Sequence, residues 1–262
     1  MNKEQLKSIA NNTLDIAKKG YYHNNEVIIK IEKKAESSFH KDVDTIENVN
    51  ISKSGKIEFE NTSIIDSIIT HKNDKVAALN FASAKNPGGG FLNGAKAQEE
   101  SIARSSNLYY ELIKFEKDFY MPHRKNNSSL YTDSMIYSQD IAVFRDDSGK
   151  LLPYPIYVNI ITSPAVNAGV ARDRGINEKQ ILSTMQERIR KVIHLAAQHD
   201  VETLILGAWG CGVFKNKEKD IASMFNQVLE KEKMKHHFEK VIFSIYDSKE
   251  KFNEFKGYYI NA

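Results

Sequence analysis

Gly88-Gly89-Gly90 is followed, after seven intervening residues, by Gln98-Glu99-Glu100. Glycine collects where backbone must approach something closely or adopt positive φ. Of the 13 glycines, four lie within residues 88–94 and three within 207–212, so two short stretches hold more than half. Two such loops remote in sequence read as the two walls of one cleft. Backbone N–H groups of glycine loops and helix starts favour phosphate, which makes a nucleotide-like diphosphate the first expectation. Acidic residues in a first helical turn often do no more than complement the helix dipole. Behind a phosphate loop, however, added negative charge is counterproductive, and Glu99 and Glu100 suggest chemistry on a ligand that is part anion and part sugar. A carboxyl that protonates a leaving oxygen and then activates water is what cleavage of a glycosidic bond requires. Adjacent helical positions diverge by about 100°, so one glutamate is free to handle the proton while the other holds sugar hydroxyls.

The elements that must position these residues alternate between strand and helix. Residues 3–19 place Leu6, Ile9, Ala10, Leu14 and Ala17 on one helical face, and Gly20 suits the position after a helix end. Glu26–Glu32 and Lys56–Glu60 read as strands with a polar, irregular stretch between them, and Ser63 is placed to cap a short helix ending near His71. Lys75–Phe81 reads as a buried strand running into the first glycine loop, with a helix expected over about 98–110. Short strands at 130–137 and 141–144, a turn at Asp146-Asp147-Ser148-Gly149 and a strand at 154–161 follow. The longest helix is expected over 178–199, from the apolar side formed by Ile181, Met185, Ile189, Val192, Ile193 and Ala196. Strand 201–206 runs into the second glycine loop, and a helix at 218–230 and a strand at 241–246 close the chain. Strand, glycine loop and helix thus occur twice. In open α/β sheets the ligand lies beyond the carboxyl ends of the strands, where such loops gather.

Composition excludes several classes. The single cysteine, Cys211, rules out an internal disulfide framework or a cysteine-rich zinc module, and no HExxH-type histidine spacing occurs, so neither a metal nor a cofactor is called for. Net charge is +3, from 37 basic and 34 acidic residues, which is too balanced for an extended nucleic-acid groove. The longest uncharged apolar run, Thr203–Phe214, is about half of the ~20 residues a membrane helix needs, so the expectation is a soluble, cytoplasmic protein without a membrane partner. The loop NPGGGFLNGAKAQEE lacks the GxGxxG spacing of a dinucleotide-binding turn, and GAWGCGVFKN lacks the GxxxxGK[ST] of a P-loop.

The spacing from the triple glycine to QEE resembles the signature of poly(ADP-ribose) glycohydrolases. NFASAKNPGGGFLNGAKAQEESIARSSNLY (80–109), YTDSMIYS (131–138), ITSPAVNAG (161–169) and LGAWGCGVFKN (206–216) resemble the compact bacterial type of that family. The likeness runs from about residue 60 to 247 and is weaker in the amino-terminal helix. It implies an α/β, macrodomain-like mixed sheet sandwiched between helices (61–262), with an amino-terminal α/β accessory segment (1–60) packed on this catalytic core. It also implies that Gly88, Gly89 and Gly90, with Gly207, Trp209, Gly210, Cys211, Gly212, Val213 and Phe214, surround the diphosphate and distal ribose of ADP-ribose. By the same likeness Glu100 is the catalytic acid/base, Glu99 orients the ribose, Gln98 fixes the catalytic loop, Asn86 serves ribose hydroxyls and Phe214 stacks near the distal ribose. Within the second loop, Trp209 and Cys211 read as packing residues, since no histidine lies near the thiol to activate it and glycines crowd it on both sides.

The implied activity is hydrolysis of ribose–ribose O-glycosidic bonds in poly(ADP-ribose), or on other ADP-ribosylated macromolecules, with ADP-ribose as product. Two other functions use the same residues. One is a module that binds ADP-ribose without cutting it, against which the complete QEE weighs; the other is a hydrolase of mono-ADP-ribose on protein or DNA.

Overall fold

The computed structural model describes residues 1–44 and 52–262, so part of the stretch expected to be irregular, 45–51, lies outside the described residues. Helix α1 (Lys3–Lys19) begins on a reciprocal cap between Asn2 and Gln5 and ends at Gly20, whose left-handed backbone stops it as expected. A two-stranded hairpin follows, β1 (Tyr21–Asn24) paired with β2 (Val27–Lys30). The remaining strands form one sheet: β3 (Glu36–His40), β4 (Lys56–Glu60), β5 (Val76–Phe81), β6 (Met135–Arg145), β7 (Leu151–Ser163), β8 (Thr203–Leu206) and β9 (Lys240–Ser244). Their order is β3-β6-β7-β5-β8-β9-β4. β7, β5, β8, β9 and β4 run parallel; β6 pairs antiparallel with β7, and β3 pairs antiparallel with β6. The segment before residue 61 therefore supplies both edge strands of this sheet as well as α1 and the hairpin.

Parallel order brings the carboxyl ends of β5, β7, β8 and β9 to one rim. Period-two alternation along β5 divides the core between the two faces of the sheet. Ala77 and Leu79 pack under helices α6 (Ala168–Asp173), α7 (Glu178–Gln198), α8 (Glu218–Asn226) and α9 (Lys249–Ile260). Val76 and Ala78 pack against α2 (Ile64–Thr70), α3 (Gln98–Ser105) and α4 (Leu108–Leu112), joined by Phe119 and Tyr120, which precede the short α5 (Met121–Lys125). This is the mixed sheet between helical layers that the resemblance implied. Ser63 caps α2 as expected, accepting the Asp66 N–H. Among the described residues no helix is long and apolar enough to cross a membrane.

Several elements depart from the expectations, each for a non-local reason. The helix expected over 98–110 breaks at Ser106, whose extended backbone makes a bridge to Val143 of β6. The two short strands expected before the turn are one strand, β6, which carries on past a register shift where Asp140 takes a φ of 50°. β3 forms within the stretch expected to be irregular, because β6 offers it a full ladder from Glu36–Gln139 to His40–Met135. The chain closes on α9 rather than on β9; only Phe255 and Tyr259 of that helix are buried, too few to stand out as a helical face. Tyr259 packs its ring on Phe59 and Phe243 and its carbonyl accepts from Asn226 Nδ2 at 2.9 Å.

α1 reaches the rim of the sheet through one buried hydroxyl. Thr13 is fully buried; its Oγ1 donates to the Arg104 carbonyl at 2.5 Å and accepts from Arg145 Nε at 3.0 Å. Arg145 also bonds Asn12 and the Gly149 carbonyl, so its guanidinium joins α1 to the β6–β7 turn while the Thr13 hydroxyl reaches on to α3. Replacing Thr13 by Val leaves the Arg145 Nε–H without a partner while nearly keeping the volume. The expected loss is about 1–3 kcal/mol of unfolding free energy, read from urea denaturation, and an unchanged midpoint would show that the clamp contributes nothing.

Candidate active site

The site is built outward from the end of β5. β8 follows β5 only from Val76–Thr203 to Ala78–Ile205, leaving the backbone of Leu79 and Phe81 unpaired on that side. The Gln98 amide fills this gap. Its Nε2 donates to the Leu79 carbonyl at 2.7 Å and its Oε1 accepts the Phe81 N–H at 2.9 Å, so a side chain continues the ladder and fixes the first residue of α3 to the central strand. No burial preference predicts that role; it depends on where β8 turns away.

Fixing Gln98 fixes the two glutamates behind it. Glu99 is 3% exposed and Glu100 8%. Glu99 Oε2 accepts the Ser83 N–H at 2.7 Å, and Oε1 faces the Asn80 amide at 3.5 Å. Glu100 Oε1 accepts the Gly90 N–H at 2.8 Å, and its Oε2 is buried without a partner. Above both carboxylates lies the triple-glycine turn, closed by Gly89 N–H to Asn86 O at 3.0 Å. Gly88 and Gly89 adopt φ of 68° and 60°, and a Cβ on Gly89 would stand 2.3 Å from Glu100 Oε1 and 3.0 Å from Glu99 Oε2. Contact this close demands glycine twice over, for the sign of φ and for the space. Asn86 is exposed at the mouth of the turn.

Burial dominates the electrostatics here. Desolvation pushes the Glu99 carboxyl up to about 8, with the neighbouring Glu100 charge adding to the rise and the Ser83, Asn80 and Gly88 hydrogen bonds opposing it. Arg104, one turn beyond Glu100, donates to the Ala95 carbonyl, and Ala95 N–H closes back onto Gly90 O at 3.2 Å. Arg104 therefore holds the far end of the glycine turn. Tyr109 packs its ring on Phe91 inside that turn, and the Tyr110 hydroxyl faces the Leu14 carbonyl of α1.

The second glycine loop stands across the start of α3. Gly207 is pressed between the Ser244 carbonyl and the Phe81 ring, and Gly210 lies against Ala165 and Asn216 with no room for a side chain. Asn216 ties the loop, donating to Val166 O at 2.8 Å and Gly210 O at 3.1 Å. A cavity of about 210 Å³ separates Ala97, Gln98 and Phe81 from Ala208, Gly210, Gly212, Val213 and Phe214. It adjoins a larger one of about 400 Å³ that reaches Ser63, Asp147, Tyr246 and Lys251. The start of α3 is thus common to both glycine loops, although neither glutamate lines these cavities and both carboxylates sit beneath the turn. Trp209 is wholly buried in the core. Cys211 is half-buried with its thiol pushed well above the usual range by burial, which leaves little thiolate for a nucleophile.

Asp147 was invisible to sequence reasoning as a site residue. Asp-Asp-Ser-Gly marks a turn, and Asp146 does make one with Lys150 O at 3.0 Å. Its neighbour is half-buried against the larger cavity, and desolvation raises the Asp147 carboxyl. Only the course of β6 and β7 brings that turn to the cleft.

Comparison with known proteins decides the family. The model of the microbial-type PARG catalytic domain, PARG being poly(ADP-ribose) glycohydrolase, matches residues 10–146. The chain belongs to this family. The match takes in part of the amino-terminal helix, where the likeness was weaker, and ends at residue 146, short of the expected 247. The crystal structure of PARG from Thermomonospora curvata is 30% identical over 98% of this chain and 99% of that one, with a TM-score of 0.85. PARG from Deinococcus radiodurans, solved in complex with ADP-ribose, is 42% identical over 79% of this chain and 83% of that one, with a TM-score of 0.73. No curated protein sequence matches the chain. Within this family, Gln98-Glu99-Glu100 and the triple glycine are the candidate catalytic constellation.

The raised Glu99 pKa carries a sign for stability. Between the ordinary value of 4.5 and about 8 the folded chain binds more protons at Glu99 than the unfolded chain, so folding stability falls as pH rises through that interval. One group of this kind gives a slope of up to about 1.4 kcal/mol per pH unit. Glu99→Gln is expected to flatten the slope, and its thermal midpoint should gain on the parent more at pH 8 than at pH 5. Parallel pH–stability curves for the two proteins would mean that Glu99 is an ordinary ionised carboxylate.

Proposed function

We propose that the chain hydrolyses the ribose–ribose O-glycosidic bonds of poly(ADP-ribose) and releases ADP-ribose, with Glu100 as its acid/base. The observation that carries this reading is the glycine turn laid on two buried carboxylates, Gly89 being without space for a side chain above Glu100. A turn of this kind lets a ligand's backbone-bound phosphates approach while a carboxyl stays within reach of the attached sugar.

The diphosphate is assigned to the space between Gly88–Gly90 and residues 207–214, with the distal ribose turned toward Glu100. Glu100 gives its proton to the departing ribose oxygen as the bond from that oxygen to the anomeric carbon breaks. The electron pair leaves with the oxygen, and positive charge develops on the distal ribose, next to the diphosphate negative charge. The carboxylate then takes a proton from water, the resulting hydroxide oxygen bonds the anomeric carbon, and Glu100 is restored to its acid form. Glu99 holds ribose hydroxyls, Asn86 adds a contact at the mouth, and Phe214 lies against the sugar. Gly207, Gly210, Gly212 and Val213 line the diphosphate side, with Trp209 and Cys211 serving as packing beneath them. Residues 61–262 are proposed as the catalytic core of macrodomain type and 1–60 as an accessory segment that completes both edges of its sheet. A cytoplasmic setting is proposed, as expected from the sequence.

Glu100→Gln is the decisive variant. It is expected to bind ADP-ribose with an affinity close to the parent's while its release of ADP-ribose from polymer falls by at least ~10²-fold. Hydrolysis at the parental rate would strip Glu100 of the role. Binding without release by the parent chain would identify a reader rather than a hydrolase.

A further inference from the structure

The segment YTDS, part of a motif singled out in the sequence, touches none of the proposed chemistry directly, yet it holds an aromatic residue with a strained backbone near the site. Tyr131 has a φ of 58°, the left-handed region that large side chains avoid. Such strain persists only where the surroundings over-determine it, and here they do. On one side Asn167 N–H bonds the Ser129 carbonyl at 2.9 Å. On the other, Thr132 bonds His123 Nε2 through its N–H at 3.2 Å and its hydroxyl at 2.8 Å. Next along, Asp133 accepts from Arg188 Nε at 3.0 Å and from Lys191 Nζ at 2.9 Å.

This backbone delivers one ring to one place. The Tyr131 ring stands between His123, edge-on at 5.7 Å, and Phe214, at 6.0 Å. His123 is a rigid support. It is 2% exposed, packs edge-on against Phe119 at 4.8 Å, and donates from Nδ1 to the Phe119 carbonyl at 2.8 Å, which leaves Nε2 to accept from Thr132. Burial lowers its pKa, keeping the ring neutral and the tautomer fixed. Phe214 ends the second glycine loop, after Val213 at 83% exposure, and is itself half-buried against the edge of the core. Its carbonyl accepts the Gly169 N–H at 3.0 Å, and Tyr131 is its one ring contact among the described residues.

We infer that Tyr131 is a positioning residue for the hydrolysis, its strained backbone holding the ring against Phe214 so that Phe214 meets the distal ribose at a fixed angle. The inference rests on the proposed function, and in particular on the contact between Phe214 and the sugar. Glycine at position 131 relieves the backbone while removing the ring, so stability and catalysis should move in opposite directions.

The test is a double-mutant cycle of Tyr131→Gly and Phe214→Ala, with Tyr131→Phe alongside, read as kcat and KM for ADP-ribose release and as thermal midpoint. Tyr131→Gly is expected to lower kcat by roughly 10–100-fold through misplacement of the sugar contact, with a midpoint equal to or above the parent's. Tyr131→Phe should recover most of that loss, because the ring and not the hydroxyl braces Phe214. The double variant should be no slower than Phe214→Ala alone, since Tyr131 acts only through Phe214. Multiplying effects in the double variant, or a Tyr131→Gly rate that falls only in step with a lowered midpoint, would overturn the inference while leaving parental hydrolysis intact. A parent chain that releases no ADP-ribose, or a Phe214→Ala variant with parental kinetics, would instead fail the reading beneath it.

Discussion

A polypeptide turn lying directly on two buried carboxylates is the constraint around which this molecule is arranged. Carboxylates taken out of water are costly unless donors replace the solvent, and donors are supplied here by backbone. Ser83 N–H serves Glu99 and Gly90 N–H serves Glu100, each from a segment that must come within hydrogen-bond distance of a helix start. Only residues without a side chain allow the turn to approach that closely. The glycines and the glutamates are therefore one feature, and neither half makes sense alone.

The rest of the fold holds that contact in register. Parallel strands put the loop after β5 and the loop after β8 on the same rim. Divergence of the two strands opens a gap in the ladder, and the Gln98 amide closes it, tying α3 to the sheet at the residue before the glutamates. At the other end of α3, the Arg104 side chain grips the close of the glycine turn while its carbonyl accepts from Thr13 of α1. The amino-terminal helix is thus tied to the same helix that carries the two glutamates. A family match that begins at residue 10 agrees with that arrangement.

Local signals were readable from the chain where local physics decides. Gly20 marks the end of α1, Ser63 marks the start of α2, and the apolar side of α7 gives its full length to within a residue. The contact between the glycine turn and the two glutamates was readable because its spacing is fixed by one short loop. What depended on partners distant in sequence was not. The break at Ser106 needs Val143, the ladder of β3 needs β6, and the cavity-facing side of Asp147 needs two long strands to carry its turn across the molecule. Tyr131 shows the limit most plainly. Its left-handed backbone follows from His123, Arg188 and Asn167, none of which its neighbours in sequence could announce.

A crystal structure of the chain with ADP-ribose is the most direct check on this account. The pyrophosphate should lie between Gly88–Gly90 and the 207–214 loop, with the Glu100 carboxyl within about 3.2 Å of the hydroxyl oxygen on the anomeric carbon of the distal ribose. A nucleotide seated elsewhere, or an anomeric carbon turned away from residue 100 with the glycine turn unoccupied, would contradict it.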